Sequence, residues 1–143
     1  MKVKEYLSQL FWIDRDIQTL MDERAEILSS TFKSPIWSDM KVQSSTGKQL
    51  EDLYVELAEY SDRIIEKSDE LIRLKIKISN QIDEIEETQL RVLLRLRYTM
   101  GLSWEQVAQN MNLDVRWVHR IHNKALIQFD KKFAIESHKE KMI

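Results

Sequence analysis

The feature that most constrains this chain is its scarcity of residues that break helices. Only two glycines and one proline occur in 143 residues. A fold of many strands needs turn residues at intervals of about ten positions, and this sequence lacks them. The hydrophobic content of 43% and the charged content of 32% suit amphipathic helices with charged outer faces. We therefore expect an all-α protein dominated by long helices.

The same counts exclude several kinds of functional site. Gly47 and Gly101 lie too far apart for a dinucleotide-binding fingerprint or a phosphate-binding loop. The absence of cysteine excludes zinc ribbons, dithiol redox sites and disulfide frameworks. No nucleophile with a neighbouring base is evident, and the many carboxylates of residues 51–86 are typical of salt-bridged helix surface. We expect neither an enzyme nor a bound cofactor or metal ion.

Two long periodic segments make up the first part of the chain. Apolar residues recur at threes and fours from Val3 to Ser29 and again from Lys48 to Glu86. Between them the pattern stops, and the single Ser34-Pro35 step disfavours a helix. Residues 1–84 are therefore predicted to form a long antiparallel helical hairpin, resembling a coiled coil. Its length leaves two alternatives: the hairpin associates with another copy of the chain, or it packs within one bundle.

Short-range signals divide residues 85–130 into three shorter helices. Gly101 is predicted to end the first of them, and Ser103 with Gln106 forms a capping box for the second. Asn112 is predicted to adopt a left-handed turn conformation, and Asp114 to cap the third helix. A helix, a tight turn and a second helix make a helix-turn-helix unit, which residues 131–143 follow as a basic tail.

The third helix, residues 114–128, has the pattern of a DNA recognition helix. Val118, Ile121, Ala125 and Leu126 are predicted to be buried. Arginine can bind guanine, asparagine can pair with adenine, and lysine can bind phosphate. His119 and His122 are three residues apart, but no third ligand is near, so we expect packing at His122 rather than a metal site. The candidate DNA contacts on the opposite face are Arg116, Trp117, His119, Arg120, Asn123 and Lys124.

Charge is distributed unevenly along the chain, although the net charge is only −2. Residues 1–86 carry 12 Lys and Arg against 18 Asp and Glu, whereas residues 87–143 carry 10 against 6. Double-stranded DNA would therefore meet the C-terminal part. No apolar run is long enough to span a membrane and the N-terminus lacks a signal peptide, so we expect a cytoplasmic protein without membrane contact.

Two runs of sequence resemble known DNA-binding proteins. Residues 96–108 (LRYTMGLSWEQVA) are similar to the first half of the region-four helix-turn-helix of bacterial sigma factors. Residues 117–126 (WVHRIHNKAL) more narrowly resemble sigma-like regulators of Gram-positive phages and integrated elements, of the ArpU and RinA type. The chain departs from that pattern at Asn112, where glycine is common, and at Asp114, where serine is usual. The resemblance implies a regulator of phage or mobile-element transcription.

Three functions are consistent with these features. The leading hypothesis is a sequence-specific DNA-binding transcriptional regulator that forms a homodimer or higher oligomer through residues 1–84. The second is the small subunit of a phage terminase, which also joins a helix-turn-helix to a helical oligomerisation region. The third is a helical interaction protein that contacts RNA polymerase or another factor.

Overall fold

The computed structural model describes residues 1–33 and 46–135, and within these ranges the chain is helical and contains no strand. The expected all-α class is confirmed. None of the described helices is long and apolar enough to cross a membrane. The predicted loop around Pro35 and residues 136–143 of the predicted basic tail lie outside the described residues. The α-helices are α1 (Val3–Lys33), α2 (Thr46–Asp83), α3 (Thr88–Leu94), α4 (Trp104–Met111) and α5 (Val115–Phe133).

The ends of the two long helices differ from the sequence prediction by a few residues. Helix α1 continues to Lys33 instead of ending at Ser29, and α2 ends at Asp83 instead of Glu86. The end of α2 tightens, because the Glu84 amide donates to the Gln81 carbonyl at 3.2 Å in a short-range turn. Apolar periodicity alone does not locate such a turn, since Ile85 remains in phase with the helix stripe.

The chain forms two compact units. One consists of residues 13–70, and the other combines residues 1–12 with the chain from Leu71 onward. Each long helix thus contributes residues to both units. The division of the sequence at residues 84 and 85 stays a prediction about independent domains.

In the residue 13–70 unit, segments of α1 and α2 run in opposite directions. Asp16 forms an ion pair with Lys67 at 2.9 Å, and Tyr60 donates a hydrogen bond to Glu23 at 2.9 Å. In these contacts the residue number rises along α1 while that of its partner falls along α2, which is the pattern of antiparallel helices. The large side chains buried between them are Ile17 and Leu57, among the described residues.

The second unit has a continuous apolar core. The start of α1, the end of α2 and all three shorter helices contribute to it. Phe129 lies inside this core, with its ring centroid 4.7 Å from that of Phe133 and 6.1 Å from that of Tyr6. Tyr6 in turn donates a hydrogen bond to Gln81 at 2.6 Å. The fully buried large side chains are Leu7, Ile78, Ile82, Leu90, Leu93, Leu94, Val107, Val118 and Phe129.

A single π-helical turn separates α3 from the loop before α4. It covers Arg95–Thr99, and the Met100 amide donates to the Arg95 carbonyl at 2.8 Å. Gly101 follows with a φ of +70°, the left-handed conformation predicted for this helix end. The predicted end of this helix near Met100 and Gly101 is confirmed, but the π geometry of its last turn was not predicted. A π turn depends on how the following segment packs and has no strong local sequence signal.

Candidate nucleic-acid interface

Local hydrogen bonds define both ends of α4, including the tight connection to α5. The side chains and amides of Ser103 and Gln106 bond reciprocally, at 3.2 and 2.9 Å, which confirms the predicted capping box. Helix α4 ends at Asn112, whose φ of 55° confirms the predicted left-handed residue. The Leu113 amide donates back to the Ala108 carbonyl at 3.0 Å. These bonds set the direction in which the chain leaves α4.

Helix α5 begins one residue after this turn. The Asp114 carboxylate accepts a hydrogen bond from the Trp117 amide at 2.8 Å, as predicted for a cap. Asp114 also serves as a negative charge at the positive end of the helix dipole. The cap therefore satisfies one of the free amides at the start of α5.

The two faces of α5 have opposite characters. The buried face consists of Val118, Ile121, His122, Ala125 and Phe129. Three of the four predicted core positions are confirmed, whereas Leu126 is only partly buried. Leu126 is one position beyond Ala125, so it lies at the edge of the stripe instead of at its centre.

All six candidate DNA contacts lie on the exposed face of α5. Two of them interact with each other: the Arg120 guanidinium lies 5.8 Å from the centre of the Trp117 ring. Trp117 keeps 47% of its surface accessible, which leaves a large aromatic side chain exposed beside a cation. The face therefore combines cations, an amide and an aromatic ring within the first three turns of one helix: Arg116, Trp117, His119, Arg120, Asn123 and Lys124.

Lys124 has a partner that sequence reasoning missed. Its Nζ atom lies 3.1 Å from Oε2 of Glu87, the residue that precedes α3. The two residues are 37 positions apart, so no local pattern signals their proximity. Both side chains are about half exposed, which makes the ion pair weak and readily exchanged for another anion.

Behind the exposed face, Trp104 supports α5. Its ring centroid lies 4.8 Å from that of the exposed His119 and 4.5 Å from that of the buried His122. The Arg97 guanidinium lies over the same indole at 4.4 Å and donates to the Leu102 carbonyl at 2.9 Å. Arg97 thus joins the loop before α4 to the indole and, through it, to α5.

A buried polar pair joins the π turn to α5. The Tyr98 hydroxyl and Nε2 of His122 are 2.6 Å apart. Burial, reinforced by the nearby cations Lys4 and Arg97, lowers the pKa of His122 to about 4. Burial also raises the pKa of Tyr98 to about 12. At neutral pH the tyrosine hydroxyl is therefore hydrogen-bonded to a neutral imidazole, and His122 is the packing residue that the sequence predicted.

The two histidine side chains are not placed to bind one metal ion together, because His119 is exposed and His122 is buried. Among the described residues, no group of three or more His, Asp or Glu side chains is placed to hold a metal ion.

Two arginines of α3 and the π turn have partners of their own: Arg91 donates to the Glu86 carbonyl at 2.9 Å, and Arg95 pairs with Asp83.

Comparison with known proteins places the chain in a family. A model of the family DUF1492, described as a protein of unknown function, matches residues 31–130. The chain therefore belongs to the DUF1492 family. No curated protein and no solved structure matches it.

Proposed function

We propose that this member of the DUF1492 family is a sequence-specific DNA-binding transcriptional regulator. In this proposal α4, the turn at Asn112 and α5 form a helix-turn-helix, and α5 enters the major groove. The resemblance of residues 96–108 and 117–126 to sigma-like regulators supports a role in a phage or mobile genetic element. Residues 1–84 would form the preceding helical hairpin.

The observation that carries the proposal is the composition of the exposed face of α5. A solvated helix face in an ordinary bundle carries charges of both signs. The exposed positions from Arg116 to Lys124 instead carry three cations, and no acidic residue occurs between Asp114 and Asp130. A helix face that carries cations, no acidic side chains and an exposed tryptophan is better suited to binding a polyanion than to remaining exposed to solvent.

The side chains divide into two chemical roles. Arg116, Arg120 and Asn123 can form the paired hydrogen bonds that distinguish guanine and adenine in the major groove. Trp117 can contact thymine methyl groups or the sugar edge from the same turn. His119 and Lys124 flank these residues and would contact phosphate, with Lys124 exchanging Glu87 for a stronger anion.

Selection from fragmented element DNA or a random DNA pool tests the proposal. The purified protein is expected to enrich a defined sequence, and an Arg116→Ala/Arg120→Ala variant is expected to lose that enrichment. A Lys2→Ala/Arg15→Ala variant is the matched control, because it removes the same charge from exposed positions among the first fifteen residues. Equal enrichment by the wild type and the Arg116/Arg120 variant would contradict the assignment of α5.

Titrations on the selected sequence separate the two roles. Arg120→Ala should cost about 1–3 kcal/mol on the preferred site and relax the preference at one base pair. Lys124→Ala should weaken binding on all sequences and reduce the slope of log affinity against log salt by about one. If the protein instead forms a large ring that binds a packaging site, the proposal of a transcriptional regulator gives way to that of a terminase small subunit. If it recovers RNA polymerase and selects no DNA, the proposal gives way to that of a protein-interaction module.

A further inference from the structure

Helix α2 carries a second apolar stripe that the described residues leave uncovered. The inward stripe includes Leu57, Ile64, Leu71 and Ile78, which are buried or half-buried. A second set lies about a third of a turn around the helix and is exposed, with 66% of Ile65 and 57% of Ile72 accessible. Its members follow one another at intervals of four and seven, the spacing of one helix face: Tyr54, Ala58, Ile65, Ile72 and Ile76.

This stripe is symmetric about its central residue. Ala58 and Ile72 are each seven positions from Ile65, and Tyr54 and Ile76 are each eleven positions from it. An antiparallel copy of the helix centred on Ile65 would therefore place an isoleucine against an alanine. It would also place Tyr54 against Ile76. Such pairing of one patch with itself is the geometry of a two-fold dimer.

The charges beside the stripe favour the same arrangement. Residues 51–59 carry four acidic side chains and no cation, whereas residues 71–79 carry three cations and no acidic side chain. Antiparallel pairing centred on Ile65 sets these two segments opposite one another. Parallel pairing would set each against its own copy, and like charges would repel.

We propose that the exposed stripe of α2 binds the same stripe of a second copy of this chain, antiparallel, with Ile65 at the two-fold axis. Asp62 of one copy would then lie near Asp69 of the other, on the rim of the seam. That approach of like charges on the exposed rim weakens the pairing slightly. The pairing is independent of DNA binding by α5.

Single cysteines test the register directly, because the natural chain has none. Ile65→Cys is expected to form a disulfide with its own copy under mild oxidation. Ile76→Cys is not, since antiparallel pairing separates the two copies of residue 76 by about 33 Å at about 1.5 Å per residue. A mixture of Tyr54→Cys and Ile76→Cys chains is expected to form the mixed disulfide. Self-linking of Ile76→Cys, or no linking at Ile65→Cys, would overturn the proposal.

Sedimentation equilibrium of the uncrosslinked protein tests the strength of the pairing. Ile65→Asp/Ile72→Asp should weaken dimerisation at least about tenfold, because two side chains of the seam become charged. Asp62→Asn should strengthen it by relieving the repulsion on the rim. Ile127→Asp is the matched control, since Ile127 on α5 is as exposed as Ile72, at 57%. A wild-type chain that stays monomeric at all concentrations, or equal weakening by the Ile127 control, would overturn the proposal. Circular dichroism confirms that each variant keeps its helices.

Discussion

The two compact units are built from the same kind of amphipathic helix, yet they bury it to very different extents. Between residues 13 and 70, Ile17 and Leu57 are the large side chains that become buried among the described residues. The other unit buries nine large side chains almost completely. Two helices side by side can shield only one stripe of each other. Helices that converge from several directions surround a side chain, and the free energy gained from burial grows accordingly.

Among the tests of this difference, Phe129→Ala is expected to cause the largest loss of stability. The ring is fully buried against Tyr6 and Phe133, so its removal should cost about 3–5 kcal/mol of unfolding free energy. Urea denaturation followed by circular dichroism measures the loss. Hydrogen exchange should show that amides from residue 71 onward lose protection. A loss below about 1 kcal/mol would mean that this core is less tightly packed than the structure indicates.

Leu57→Ala makes the corresponding change in the residue 13–70 unit. The loss of unfolding free energy should be about 2 kcal/mol, near the lower end for such substitutions. Leu57 has few buried neighbours, so its removal leaves only a small enclosed cavity. Hydrogen exchange of peptides from residues 13–33 and 49–70 reports it locally. If Leu57→Ala costs as much as Phe129→Ala, the contrast between the two units is not one of core depth.

Acidification should act on the contact between the π turn and α5 through His122. Its pKa is about 4 in the folded chain against about 6.5 when unfolded, so between these values the unfolded chain binds more protons. The stability conferred by the neutral ring is complete above pH about 6.5 and is lost as the pH falls toward 4. We expect a decrease of about 1–2 kcal/mol over that window.

Two variants of α5 isolate this effect. His122→Gln should flatten the dependence of unfolding free energy on pH, and it retains a hydrogen-bonding side chain opposite the Tyr98 hydroxyl. Asn123→Gln changes an exposed amide side chain on the same helix and should leave the pH dependence as it is in the wild type. An unchanged slope in His122→Gln would show that other groups cause the acid sensitivity.

The smallest effect is expected at the cap of α5. Asp114→Ala removes the acceptor of the Trp117 amide and should cost about 1 kcal/mol. Asp114→Asn keeps an acceptor and should cost less than half as much. Thermal unfolding followed by tryptophan fluorescence measures both, and equal losses would indicate that charge, and not the hydrogen bond, is the larger contribution.

The features predicted correctly from the sequence are mostly local. The capping box of Ser103, the left-handed Asn112 and the cap at Asp114 each depend on residues within three or four positions. The π turn at Arg95–Thr99, the ion pair between Glu87 and Lys124 and the central position of Phe129 were missed. Each of these depends on residues that are distant in the chain, and a single sequence contains no signal for their proximity.

The sequence by itself determined the all-α class, the cap and turn residues around α4 and α5, and which side chains α5 exposes. Helix periodicity and caps depend on short-range geometry, which the order of residues specifies directly. Only the tertiary structure decided that the start of α1 and the end of α2 share a core with the three shorter helices. Burial is a cooperative property of several segments, so one stripe cannot reveal which partner covers it. For the same reason, the periodicity of the sequence places Tyr54, Ala58, Ile65, Ile72 and Ile76 on one face of a helix, but only the structure shows that this face is exposed.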